Sequence, residues 1–250
     1  MLFSLAALPD QSLTGNIGVA ADFAGRLDNP QLTGVVRAND LTYENENYGT
    51  RLTQVRLRGE FTNDQLNVSE MTARAGEGTI SGSGFVNLSS AKGFPVQLNL
   101  DLDRARIARS DMIDTTATGQ ISVTNTPGGD ALVSGTLRLP RTRFKLIRQE
   151  AVEVRTLTGV RRKSPAGRSR ETGDADPIST LPSNWKLDIR LQADDELYVS
   201  GMGLESEWRA DLRITGTSSA PLISGDMALV RGTLGFAGRS FELESGRLNF

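Results

Sequence analysis

The chain has 250 residues, with 28 Lys and Arg against 30 Asp and Glu, and its net charge of −2 does not favour a polyanionic partner such as nucleic acid. It contains no Cys and no His, which removes disulfides, thiolate nucleophiles, Ser-His-Asp triads and nearly every zinc site. Apolar runs stay far below the ~18 to 20 residues of a membrane-crossing helix. The 26 Gly and 9 Pro imply frequent chain reversals and an all-β chain.

Taken from the N-terminus, Met1 to Pro9 is apolar but has no basic leader and is cut by Pro9 and Asp10, so it does not read as a signal peptide. Beyond it the hydrophobic period is two almost everywhere. Val55, Leu57 and Phe61 alternate with Arg56, Arg58 and Glu60, and Val96, Leu98, Leu100 and Leu102 alternate with Gln97, Asn99, Asp101 and Asp103. These are strands with one buried face. Arg104 to Asp114 is the one stretch with a helical reading, because Ala105, Ala108 and Met112 share a helical face.

Residues 155–184 break the rhythm with Arg161-Arg162-Lys163, Arg168, Arg170, Asp174 and Asp176 among Pro165, Pro177 and Pro182. That composition reads as a solvated, flexible polar insertion. It divides the chain into a sheet segment at 1–154, the insertion at 155–184 and a second sheet segment at 185–250. In the second, Trp185, Leu187, Ile189, Leu191 and Ala193 alternate with polar residues, as do Trp208, Ala210, Leu212 and Ile214. Asp194-Asp195-Glu196 between them reads as a turn. In all, about eighteen strand segments are expected at roughly 10-to-12-residue spacing.

A short unit recurs three times. Leu32-Thr33-Gly34-Val35-Val36, Val133-Ser134-Gly135-Thr136-Leu137 and Ile223-Ser224-Gly225-Asp226-Met227 share the order apolar, Ser or Thr, Gly, any, apolar. Nine residues after each Gly stands Tyr43, Phe144 or Leu234. The intervals of 101 and 90 residues are too long and unequal for the coils of a β-helix. Glycine in phase with apolar neighbours has two readings: a sheet curling tightly over its core, or a lane left open for an apolar ligand.

The closing run from Ile223 to Phe236, with Phe241-Glu242-Leu243-Glu244-Ser245-Gly246-Arg247-Leu248-Asn249-Phe250, resembles the C-terminal region of the TamB family, the AsmA-related translocation and assembly modules. Leu13-Thr14-Gly15 through Leu66 and Ala105 through Gly119 share the likeness, which covers nearly the whole chain except the insertion. The resemblance implies an elongated, U-shaped antiparallel or mixed β-sheet with an apolar interior groove and little helix. It also implies a periplasmic protein anchored to the bacterial inner membrane through an N-terminal helix not present in this chain. Its implied work is phospholipid transport between the two membranes and assembly of outer-membrane proteins and autotransporters. Its implied partners are phospholipid acyl chains, nascent outer-membrane proteins and, for the full-length protein, the Omp85-type barrel TamA.

The wall of such a groove would be Val55, Leu57, Phe61, Ile80, Val86, Leu98, Leu100, Leu187, Ile189, Leu191, Trp208, Leu212, Ile214, Met227, Leu229, Phe236 and Leu243, with Gly34, Gly135 and Gly225 as its glycines. No catalytic residue, metal ligand or cofactor is expected. A secreted β-solenoid adhesin or passenger domain is the alternative, and it would need a shorter and more regular coil repeat. A carbohydrate-active enzyme would use Asp101 and Asp103, yet period two puts both on the wet face of an apolar strand.

Overall fold

Each alternating run becomes a strand, because an extended chain turns every second side chain to the same face. The computed structural model describes residues 11–26, 29–46, 48–89, 93–125, 131–147 and 185–250. The strands are β1 (Gln11–Arg26), β2 (Asn29–Asn45), β3 (Thr50–Asn63), β4 (Gln65–Ala75), β5 (Gly78–Asn87), β6 (Val96–Arg109), β7 (Ile113–Asn125), β8 (Leu132–Lys145), β9 (Lys186–Gly201), β10 (Leu204–Thr217), β11 (Ala220–Phe236), β12 (Arg239–Glu242) and β13 (Arg247–Asn249). All belong to one open, curved sheet in which β1 to β12 follow one another in chain order. β12 and β13 share the outer edge of β11, the first against Thr233–Phe236 and the second against Asp226–Ala228.

Every neighbouring pair is antiparallel except β8 and β9, which run parallel. A parallel pair cannot be closed by a hairpin, and Lys145 at the end of β8 and Lys186 at the start of β9 stand at opposite ends of the pair. That placement gives a physical reason for a long segment at this one place. The sheet is continuous across the junction, with Lys186 N–H donating to Ala131 O at 2.7 Å and Leu146 N–H to Ser200 O at 2.7 Å. The polar insertion at 155–184 and the leader reading of Met1 to Pro9 lie outside the described residues.

A line of bulges crosses the sheet. Register shifts fall between Ala38 and Leu41 on β2, Thr53 and Arg56 on β3, Val68 and Met71 on β4, Leu102 and Ala105 on β6, Arg138 and Thr142 on β8, and Trp208 and Ala210 on β10. A bulge bends its strand and increases the local twist, so bulges on successive strands crease the sheet. Small side chains occupy the inside of this crease: Ala75, Ala105 and Ala117 are fully buried, packed with Leu102 and Leu137. The β4–β5 hairpin is short, and beyond its tip β3 and β6 meet directly. Thr50 Oγ1 donates to Ile107 O at 2.6 Å, and Arg109 N–H to Tyr48 O at 2.9 Å.

The bulges correct three expectations. Arg104 to Asp114 is not helical: β6 runs on to Arg109 and β7 begins at Ile113. Shifts at Leu102/Ala105 and Arg106/Ala108 each insert a residue, and this spaces Ala105 and Ala108 as a helix would. Asp194-Asp195-Glu196 is not a chain reversal but an exposed stretch inside β9, with Glu196 at φ +65°. The described residues hold thirteen strands, up to 17 residues long, because a bulge makes one long strand look like two short ones.

Candidate functional site

Cross-strand partners lie on the same face of a sheet, so the registers show which side chains share a side. One row takes a residue from each of eleven strands: Ile17, Ala38, Leu57, Met71, Gly82, Leu100, Ile121, Gly135, Ile189, Ile214 and Ile223. A second runs through Val19, Val36, Gly59, Val68, Gly84, Leu98, Val123, Val133 and Leu187. A third runs through Ala73, Ile80, Leu102, Gly119, Leu137, Leu191, Leu212 and Gly225. The three rows hold no polar or charged side chain. Among the described residues no second layer lies over the sheet, and most of the large side chains on this face are half-buried.

The expected wall residues fall on this face with two exceptions. Leu57, Ile80, Leu98, Leu100, Leu187, Ile189, Leu191, Leu212 and Ile214 stand in the three rows. Phe61 and Val86 are joined through Leu66, and Val55 faces the buried Leu41. Trp208 pairs with Leu229, and Met227 with Ala210. Phe236 instead stands at the tip of β11, 70% exposed, and Leu243 falls in the break between β12 and β13. Register adds Met71, Ile121, Val123, Val133 and Ile223, which the alternation alone did not single out, together with the β1 residues Ile17 and Val19.

The three motif glycines answer to the backbone. Each lies in the second strand of a hairpin, in β2, β8 and β11, opposite the first strand. A Cβ on Gly34 would stand 2.2 Å from Ala20 O, on Gly135 2.1 Å from Gln120 O, and on Gly225 2.2 Å from Asp211 O. No side chain fits there, because the neighbouring strand's carbonyl occupies the space. The recurrent Ser/Thr-Gly unit thus marks a hairpin whose second strand presses on its first. The first interval spans six strand steps, from β2 to β8, and the second only three, from β8 to β11; the second is nearly as long because it also includes the segment between Lys145 and Lys186.

The opposite face is polar. Asp101 accepts from Gln120 Nε2 at 2.7 Å, and Asp103 lies 3.7 Å from Arg104 Nε, both carboxylates being exposed. Arg190 and Arg213 face each other in register, and each is bound by a diagonal carboxylate. Arg190 donates Nε and Nη2 to Asp211 at 2.9 and 2.6 Å, and Arg213 donates to Asp188 at 2.8 and 3.0 Å. Hollows of about 740 and 540 Å³ open on this side, lined by residues such as Asp101, Gln120, Thr136 and Arg190.

The hydrogen bonds from Arg213 hold the Asp188 carboxyl below its ordinary value of 3.8, and those from Arg190 do the same for Asp211, with burial opposing both. A depressed folded-state pKa contributes stability above the ordinary value that is lost as pH falls through the depressed one. The wild type should therefore unfold at a higher temperature than a D188N/D211N variant at pH 6. That lead should shrink as pH falls below the ordinary carboxylate value and through the depressed one, where both chains leave the two guanidiniums uncompensated. A lead that stays constant across thermal scans from pH 6 to pH 2 would contradict this account.

Compared with known families, residues 67–250 match the TamB C-terminal domain. The chain belongs to this family. No curated protein and no solved structure matches it. TamB-family proteins are envelope proteins that serve biogenesis and outer-membrane assembly as non-enzymatic scaffold and transport modules, associated with TamA. The TamB match begins at β4 and runs to the last residue. It therefore spans the whole third row and the hairpins that carry Gly135 and Gly225.

Proposed function

We propose that this chain is a periplasmic envelope-biogenesis scaffold whose apolar face holds phospholipid acyl chains between the inner and outer membranes. The same surface would serve outer-membrane protein and autotransporter assembly, beside a TamA-type barrel. One observation carries the reading: an uncharged apolar row that runs unbroken across eleven strands. Neighbouring strands lie ~4.8 Å apart, so the row extends ~48 Å, about three times the ~15 Å hydrocarbon depth of one leaflet. Extracting a ~16-carbon chain from a bilayer costs on the order of 13 kcal/mol at ~0.8 kcal/mol per methylene, which only a continuous apolar wall can offset.

The test uses a photo-crosslinking side chain placed in turn at Leu187, Ile189 and Leu191, and separately at Asp188 and Arg190, in cells. Phospholipid adducts are expected from the first three positions alone. Equal labelling from both sets would refute the reading, since the two sets sit on opposite faces of one strand.

A further inference from the structure

We propose that the polar face carries a binding site for a phosphate group at Arg37, Arg56 and Arg58. Two pairs of arginines stand directly opposite each other on neighbouring strands of that face, Arg190 with Arg213 and Arg37 with Arg58. Like charges so placed repel. In the first pair the chain cancels the repulsion itself: Asp188 and Asp211 stand two residues before Arg190 and Arg213, and each binds the arginine of the other strand. The positions two residues before Arg37 and Arg58 hold Val35 and Arg56 instead. The second pair thus has a third arginine where the first has one of its carboxylates.

The other neighbours do not restore the balance. Gly18 lies opposite Arg37 on β1, and Thr72 lies opposite Arg56 on β4. Glu70 comes no nearer to Arg58 than 3.8 Å, and both side chains are exposed. Among the described residues no carboxylate forms an ion pair with Arg37 or Arg56. Beside the arginines a hollow of about 540 Å³ is lined by Asn39, Asp40, Gln54, Arg56 and Arg58. Its two amides add neutral donors to the guanidiniums, against the single carboxylate of Asp40. A carboxylate offers one edge and matches one guanidinium, as Asp188 and Asp211 do, whereas a phosphate turns oxygens to several at once. The ligand is therefore a phosphate group, borne by a lipid headgroup or by a soluble ester. The site faces away from the apolar rows and does not depend on what they carry.

Thermal unfolding in about 10 mM phosphate, against chloride of equal ionic strength, tests the assignment. The wild type should melt about 3 °C higher in phosphate, the shift expected of a millimolar site at roughly tenfold excess of ligand. R37Q/R56Q should lose this shift. R74Q/R138Q, which removes the same charge from two separated arginines of the polar face, should keep it. V35D/R56D sets carboxylates where the Arg190 pair has them, so it should melt above the wild type in chloride and gain nothing from phosphate. Far-UV circular dichroism checks that each variant keeps its sheet. Flotation with phosphatidylglycerol vesicles separates the two sources. Capture that depends on Arg37 and Arg56 assigns the phosphate to a lipid headgroup, and a phosphate shift without such capture assigns it to a soluble ester. No shift in the wild type, or an equal shift in R37Q/R56Q, would overturn the inference. So would a V35D/R56D chain that melts no higher than the wild type in chloride.

Discussion

Valine in place of Gly119 is expected to unfold the sheet at its centre. Gly119 holds φ at +147°, a backbone region that a side-chain-bearing residue rarely adopts, and a Cβ there would lie 2.1 Å from Thr136 O on the neighbouring strand. Strain of this kind costs about 1–3 kcal/mol before any clash is counted. Relieving the clash would mean parting β7 from β8, which carry the third row from Gly119 to Leu137. The expected loss is at least ~3 kcal/mol, a large share of the ~5–15 kcal/mol that stabilises a typical domain. Gly18→Ala supplies the contrast, because its Cβ has room and its φ is not positive. There the change should fall within about 1 kcal/mol of the wild type, on the stabilising side. Urea unfolding of both variants decides the matter. A G119V midpoint equal to that of the wild type would show that the strands do not press together here.

The all-β class was legible because period two is a local property: a strand with one dry face writes it directly into sequence, as in Trp185 to Ala193. Bulges are not legible in this way. The extra residue at Leu102/Ala105 or Arg106/Ala108 is defined by what the partner strand does, and within one strand it only changes a spacing of two into three. The same spacing belongs to a helix, which is why Ala105 and Ala108 pointed to one. The acidic run at 194–196 misled for the same reason, since a bulge and a turn both favour exposed polar residues. The parallel pairing of β8 with β9 left one trace, the long segment between them, and composition alone cannot distinguish a return connection from an insertion.

For the candidate face, parity within each strand was readable and the alignment between strands was not. Ile121 and Val123 alternate with Ser122 and Thr124, short β-branched and hydroxyl side chains whose contrast in polarity is slight. Only the register that sets Ile121 between Leu100 and Gly135 reveals them as members of the longest row. The glycines were legible as a pattern, and the two readings of that pattern are separable only by a distance. With Gln120 O 2.1 Å from a Cβ on Gly135, the backbone contact requires glycine whatever lies on the apolar face.

Aspartate in place of Ile189 should sharply reduce the phospholipid that copurifies with the chain. Ile189 stands in the longest row between Gly135 and Ile214, so a carboxylate there falls in the middle of the apolar wall. Its hydration would keep several methylenes of a bound chain from contact. Losing about four, at ~0.8 kcal/mol each, amounts to ~3 kcal/mol or roughly a hundredfold in affinity. Ile189→Ala removes apolar area without adding charge and should weaken retention by no more than about tenfold. Thr136→Asp puts the same charge on the other face, exposed and in register with Arg190, and should leave retention unchanged. Mass spectrometry of lipids extracted from equal amounts of folded protein gives the comparison. If I189D and T136D retain equal lipid, the row is not where the chains lie. If I189D falls alone, the charge has acted through the face and not through the fold, because all three variants are first matched for sheet content.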